Sequence, residues 1–169
     1  MGRLETGSWK PVYESGNQAE KSPLAFTAMP QDPNHWFVGT PKGLFASEDA
    51  GKTWSRASVF SGLKRVPVLF AQGSRLFIGD ESSLYLSVNG SPAREVLTLP
   101  HENFSADIAE DQEGSGAEVA ALYVQRIHAI LADEANPQHF FLGTHAGVFE
   151  SLDGGYHWRP LSRSGMQST

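Results

Sequence analysis

Short apolar, aromatic-rich runs recur along the chain, each separated from the next by a tight glycine-containing turn. Residues 35–58, HWFVGTPKGLFASEDAGKTWSRAS, match residues 139–162, HFFLGTHAGVFESLDGGYHWRPLS, without a gap at an offset of 104, and 11 of the 24 positions are identical. The two stretches are therefore copies of one unit. Each holds two apolar runs joined by a Gly turn, then an Asp-x-Gly turn and a Trp, which is the pattern of a small antiparallel meander. A third, weaker copy lies 40 residues after the first, at 75–98 (RLFIGDESSLYLSVNGSPAREVLT). There Phe77, Gly79, Leu84 and Ser87 repeat Phe37, Gly39, Leu44 and Ser47, and Asn89 aligns with Asp49 and Asp153.

The steps between copies are 40 and 64 residues (104 − 40), so the third unit carries 24 additional residues (64 − 40). A period near ~40 with four strands per unit is the signature of a propeller blade, so the expected fold class is all-β, with three four-stranded antiparallel blades. The blades are expected at about 23–58, 66–98 and 124–162 of a single domain, 1–169, with an acidic insert at about 101–122. Residues 8–13 resemble the stretch around Trp54 and read as an orphan fourth strand of another blade. Propellers typically close with 4–8 blades, so three cannot close alone. Two chains joined as a six-bladed homodimeric ring, an excised piece of a larger propeller, and an open arc all fit; the dimer is favoured because it covers the apolar faces of the end blades.

The turn segments Ser47-Glu48-Asp49-Ala50-Gly51-Lys52-Thr53-Trp54 and Ser151-Leu152-Asp153-Gly154-Gly155-Tyr156-His157-Trp158 resemble the Asp-box, or bacterial neuraminidase repeat, S-x-D-x-G-x-T-W. That repeat occurs in β-propellers of sialidases, sortilin-type receptors, xyloglucanases and photosystem II assembly factors. The resemblance implies a structural role for Ser47, Asp49, Gly51 and Trp54, and for Ser151, Asp153, Gly155 and Trp158. The physical reading agrees: an Asp opening a turn accepts the turn's own N–H groups, Gly tolerates positive φ, and the Trp covers the hairpin's flank. In the middle copy Ser91, Pro92 and Arg94 stand for Gly, Lys and Trp, and the motif fails.

Composition is that of a globular chain, 40% hydrophobic and 19% charged, and the absence of Cys excludes disulfides and Cys-ligated zinc. The net charge of −6 has one source: residues 101–122 hold six acids and no Lys or Arg, while the remaining 13 acids balance 13 bases. No basic stripe favours nucleic acid, and no apolar run is long enough for a membrane span. The chain reads as cytoplasmic if complete, and as periplasmic or secreted if an export signal precedes it. The insert is Gly/Ser-rich and reads as a solvated loop; its acids Asp107, Glu110, Asp111 and Glu113 lack EF-hand spacing. No cofactor or metal is expected.

Strand direction sorts the loops onto two faces. The Asp turns share one face. The other gathers Lys42, Lys64, Arg65, Asp80, Glu81, His145 and the insert, and the polar start of the third blade adds Arg126 and His128, which share a strand face at a spacing of two. These eight residues are the candidates for partner binding. The expected function is a non-catalytic interaction module for a protein or glycan. Alternatives are a relative of sialidase-like or xyloglucanase-like glycoside hydrolases and, by resemblance, an assembly factor like that of photosystem II. Against a sialidase, Lys64-Arg65-Val66-Pro67 retains only the Arg-x-Pro core of that family's Phe-Arg-Ile-Pro motif, and no nucleophile elbow, phosphate loop or His-Glu-x-x-His is present.

Overall fold

Successive side chains of a strand point to opposite faces of its sheet, and here both faces of each repeat are apolar, so each sheet must be covered twice. The computed structural model describes residues 2–5, 8–11, 13, 22–62, 64–99 and 126–161. It contains a short hairpin, β1 (Gly2–Glu5) and β2 (Ser8–Pro11), and three four-stranded antiparallel meanders. The first is β3 (Ala25–Met29), β4 (Asp32–Thr40), β5 (Gly43–Ser47) and β6 (Ser55–Arg56). The second is β7 (Val68–Gln72), β8 (Arg75–Gly79), β9 (Ser83–Val88) and β10 (Arg94–Thr98). The third is β11 (Ile127–Asp133), β12 (Asn136–Thr144), β13 (Gly147–Ser151) and β14 (Arg159–Pro160). Among the described residues there is no helix, and the fold is all-β as expected. The expected insert at 101–122 lies outside the described residues.

The first strands β3, β7 and β11 lie side by side, with β7 between the other two, so the sheets follow one another like leaves around an edge. The second strands carry the packing code. Phe37 and Phe77 face the following sheet, whereas Val38, Ile78 and Leu142 face the preceding side. Between the first two sheets, Phe37, Leu44 and Ala57 meet Val66, Leu76 and Ile78, with Val59 and Phe60 from the connecting segment. Between the second and third, Phe77, Leu84 and Leu86 meet Phe140 and Leu142, and the Phe77 and Phe140 rings lie 5.0 Å apart. Each fully buried side chain of this size contributes about 1.5–3 kcal/mol relative to exposure. Gly39 is small for a steric reason: a Cβ there would sit 2.2 Å from the Val66 carbonyl oxygen, where the linker crosses the first sheet.

The two end faces differ. On the first sheet, Tyr13 packs edge-on against Phe45 and Trp54, and Val38 is fully buried. On the third sheet, Val148 and Leu161 are 45% and 44% exposed, although their repeat equivalents Leu44 and Ala57 are buried under the second sheet. Glu150 replaces the apolar Ala46 on this face and is held by Arg159 (2.9 Å) and His139 (3.3 Å).

The Asp turns are built as local clamps. Asp49 accepts from the Lys52 and Thr53 N–H groups (3.0 and 2.8 Å), the Ser47 hydroxyl (2.8 Å) and the Thr53 hydroxyl (2.7 Å). Asp153 repeats this with the Tyr156 and His157 N–H groups, Ser151, and the His157 ring in place of Thr53. The middle turn corrects the alignment read from the sequence. Asn89 N–H donates to Ser74 O, as Ala50 does to Asn34 O and Gly154 to Gln138 O, so Asn89 stands at the Ala50 place and not at that of Asp49. Asn89 and Ala50 also share positive φ, 53° and 59°. One residue is missing between Ser87 and Asn89, the acid itself is lost, and Ala93 rather than Arg94 takes the Trp position, facing the first sheet.

Acid titration tests the clamps. Hydrogen bonds, led by the Thr53 N–H, hold the Asp49 carboxyl at about 2; at Asp153 burial pushes upward, but the His157, Ser151 and Tyr156 bonds outweigh it and hold that carboxyl at about 2. Both values lie below the unfolded aspartate value of ~3.9, so the stabilisation is complete above that pH and is lost as pH falls through about 2. Thermal melts of Asp49→Ala/Asp153→Ala against the parent should show a Tm gap that is full near pH ~6 and closes between pH ~4 and ~2. A gap independent of pH contradicts the clamp.

Candidate functional site

The β8–β9 turn builds the centre of the second loop face. Asp80 is buried at 5% exposure and uses one carboxylate oxygen to accept the Ser82 and Ser83 N–H groups, at 2.9 and 2.7 Å. Its other oxygen takes the Lys64 ammonium at 3.0 Å. Lys64 also donates to the Tyr85 hydroxyl at 2.9 Å. The bonds to Tyr85 and then Asp80 raise the lysine above its ordinary range, so it stays charged throughout the physiological window. Lys64, Arg65, Asp80, Glu81 and Ser82 line one open cleft of about 340 Å³.

A second group adjoins it through the backbone. The Ile127 N–H donates to the Glu81 carbonyl at 3.4 Å, which sets the start of β11 beside the β8–β9 turn. Ile127 points into the core, so Arg126 and His128 on either side of it are exposed. The Arg126 N–H donates to His145 Nδ1 at 3.4 Å, and the His128 and His145 rings meet edge to face at 4.3 Å. Lys42 is exposed on the neighbouring β4–β5 turn, where its N–H is capped by Thr40 Oγ1 and its carbonyl accepts from Arg56. The Val66 N–H bonded to Thr40 O ties that turn to the Lys64-Arg65 segment.

The structure therefore brings Lys64, Arg65, Asp80 and Glu81 to one cleft and Arg126, His128 and His145 to one adjacent cluster, with Lys42 on the next turn. Tyr85 and Ser83 are participants that sequence reading missed. Tyr85 occupies the repeat position of Phe45 and Phe149, so its hydroxyl is the only polar atom added there, and that difference was the available signal. Among the described residues no three His, Asp or Glu side chains converge as metal ligands. Asp80 has both oxygens committed to the turn and to Lys64, which suits a clamp rather than a proton donor.

No family model matches the chain, and no curated protein matches it by sequence. Solved structures do. An ancestral GH74 enzyme superposes with a TM-score of 0.67 at 16% identity, covering 93% of this chain and 20% of that one. YCF48 from Cyanidioschyzon merolae superposes at 0.57 with 17% identity, over 82% of this chain and 36% of that one. A structure of YCF48 bound to D1 peptide gives 0.51 at 19%, over 85% and 46%. The three sheets are blades of a β-propeller. The chain spans less than half the length of each of these propellers, and identity at this level shows the fold alone.

Removing Lys64 should leave a buried carboxylate without its cation. Lys64→Met is expected to cost about 1–3 kcal/mol, and Tyr85→Phe about 1 kcal/mol, in urea unfolding. Equal stability of Lys64→Met and the parent contradicts the assigned role of the pair.

Proposed function

We propose that this chain is a non-catalytic propeller module that binds an acidic segment of a partner protein through the loop face carrying Lys42, Lys64, Arg65, Arg126, His128 and His145. The observation that carries this reading is the commitment of Asp80 to its turn and to Lys64. Lys64 and Asp80 neutralise one another, so the remaining charges of the cleft are Arg65 and Glu81, and Lys42 and Arg126 on the neighbouring elements add positive charge to the face. Lys42, Arg65 and Arg126 offer short-range charge-assisted hydrogen bonds to the carboxylates of such a segment. A protein partner is supported by the propeller likeness to YCF48, one structure of which holds a D1 peptide. An assembly factor is the version of this reading closest to that likeness.

The GH74 likeness extends to the fold, and the cleft does not favour hydrolysis. Glycosidases need two carboxyl groups about 5–10 Å apart, one of them free to protonate the leaving oxygen. Asp80 is tied down, and Glu81 is its direct neighbour in the turn. The Asp49 and Asp153 clamps lie on the opposite face and are saturated by their own turns.

Fluorescence anisotropy with a labelled Glu/Asp-rich dodecapeptide tests the proposal. Binding that weakens with salt and falls about tenfold in Arg65→Ala/Arg126→Ala is the expected result, as for the loss of about two charge-assisted contacts. Binding indifferent to those substitutions, or turnover of xyloglucan abolished by Glu81→Gln, would overturn it.

A further inference from the structure

The lost acid of the middle turn has a consequence on the face opposite the proposed partner site. In the third blade the intact turn presses down on its predecessor. A Cβ on Gly155 would lie 2.3 Å from the Phe77 ring, Trp158 meets that ring at 6.5 Å, and Arg75 reaches across to Gln138 (3.2 Å). In the second blade the turn is one residue shorter and lifts away. Gly90 corresponds to Gly155 and keeps positive φ (72°), yet a Cβ there would meet nothing within 4 Å, and Ala93 supplies no ring. The result is a cleft of about 320 Å³ between the first two blades, at the small end of the ~300–1,000 Å³ range of ligand sites.

Several of its walls are repeat counterparts of the contact between the second and third blades. Phe37 stands for Phe77, Leu76 for Phe140, and Asn89 with Gly90 for Gly154 and Gly155. The inner wall is apolar, formed by Met29, Phe37 and Leu76. The His35 ring stacks on Phe37 at 4.6 Å and 35°, which offers a plane for a further ring. The rim holds acceptors, and Asp32 is the one carboxylate among the lining residues, with no lysine or arginine to offset it.

We infer that this cleft is a receptor for an aromatic side chain, an indole above all, presented by a partner peptide beside a basic residue. Phe37 and Gly90 line the cleft and are the counterparts of Phe77, whose ring Trp158 meets, and of Gly155, whose carbonyl accepts the Trp158 indole N–H at 3.0 Å, whereas Ala93 beside Val59 supplies no ring. Its single carboxylate selects a cationic flank by charge complementarity. The site is distinct from the loop face, so it stands or falls independently of the function proposed above.

Methyl NMR titration with N-acetyl-tryptophanamide is the direct test. Saturable shifts confined to the methyls of Met29, Val59 and Leu76 are expected. Ala93→Trp, which returns the ring the other blades carry, should abolish them. Should that variant fail to fold, Gln31→Trp, on the exposed turn at the rim, supplies a competing ring and should weaken them. The peptide Ac-Arg-Trp-NH2 should bind about two- to fivefold more tightly than Ac-Glu-Trp-NH2, the scale of one exposed ion pair. Absence of shifts at those three methyls, shifts unchanged in the filled variants, or equal affinity for the two peptides would each overturn the inference.

Discussion

Every blade depends on a two-sided strand. In β4, β8 and β12 the sequence aromatic-aliphatic-glycine sends the Phe of one blade forward to the next and the aliphatic residue back to the one before. Neither residue can be satisfied within its own sheet, so a blade is stable only when something lies on each face. The Asp turn completes the contact from the outside. By tying its carboxylate to its own N–H groups it becomes rigid enough to push a backbone glycine onto the ring of the preceding blade.

This constraint explains the unequal ends. On the backward face of the first blade Tyr13 packs against Phe45 and Trp54, as Phe60 packs against Tyr85 between the first two blades. The third blade has its forward face partly open, with Leu131, Val148 and Leu161 exposed, but the Glu150, Arg159 and His139 cluster makes its outer half polar.

The repeat makes the blades legible, because all three copies share the spacing of Phe, Gly and Ser and the first and third also share Asp and Trp. Strand direction alone places Lys64, Arg65, Asp80 and Glu81 on one face. Other features were hidden for definite reasons. A one-residue deletion in the middle turn is invisible to an ungapped alignment, and the backbone bond from the Asn89 N–H to Ser74 O places Asn89 at the Ala50 position. Tyr85 reads as another apolar strand position, and only the fold brings its hydroxyl to Lys64. β6 and β14 shrink to two residues each because the Asp turn consumes the chain that the periodic pattern assigns to strand.

The claim that the Asp turn wedges one blade onto the ring of its predecessor is tested most directly by comparing two alanine substitutions in denaturant unfolding. Gly155→Ala and Gly90→Ala both impose positive φ on a residue with a Cβ, which costs about 1–2 kcal/mol in either place. Only Gly155 also meets the Phe77 ring, so its variant should be less stable than the other by a further ~1–3 kcal/mol. Equal losses at the two positions would contradict the account.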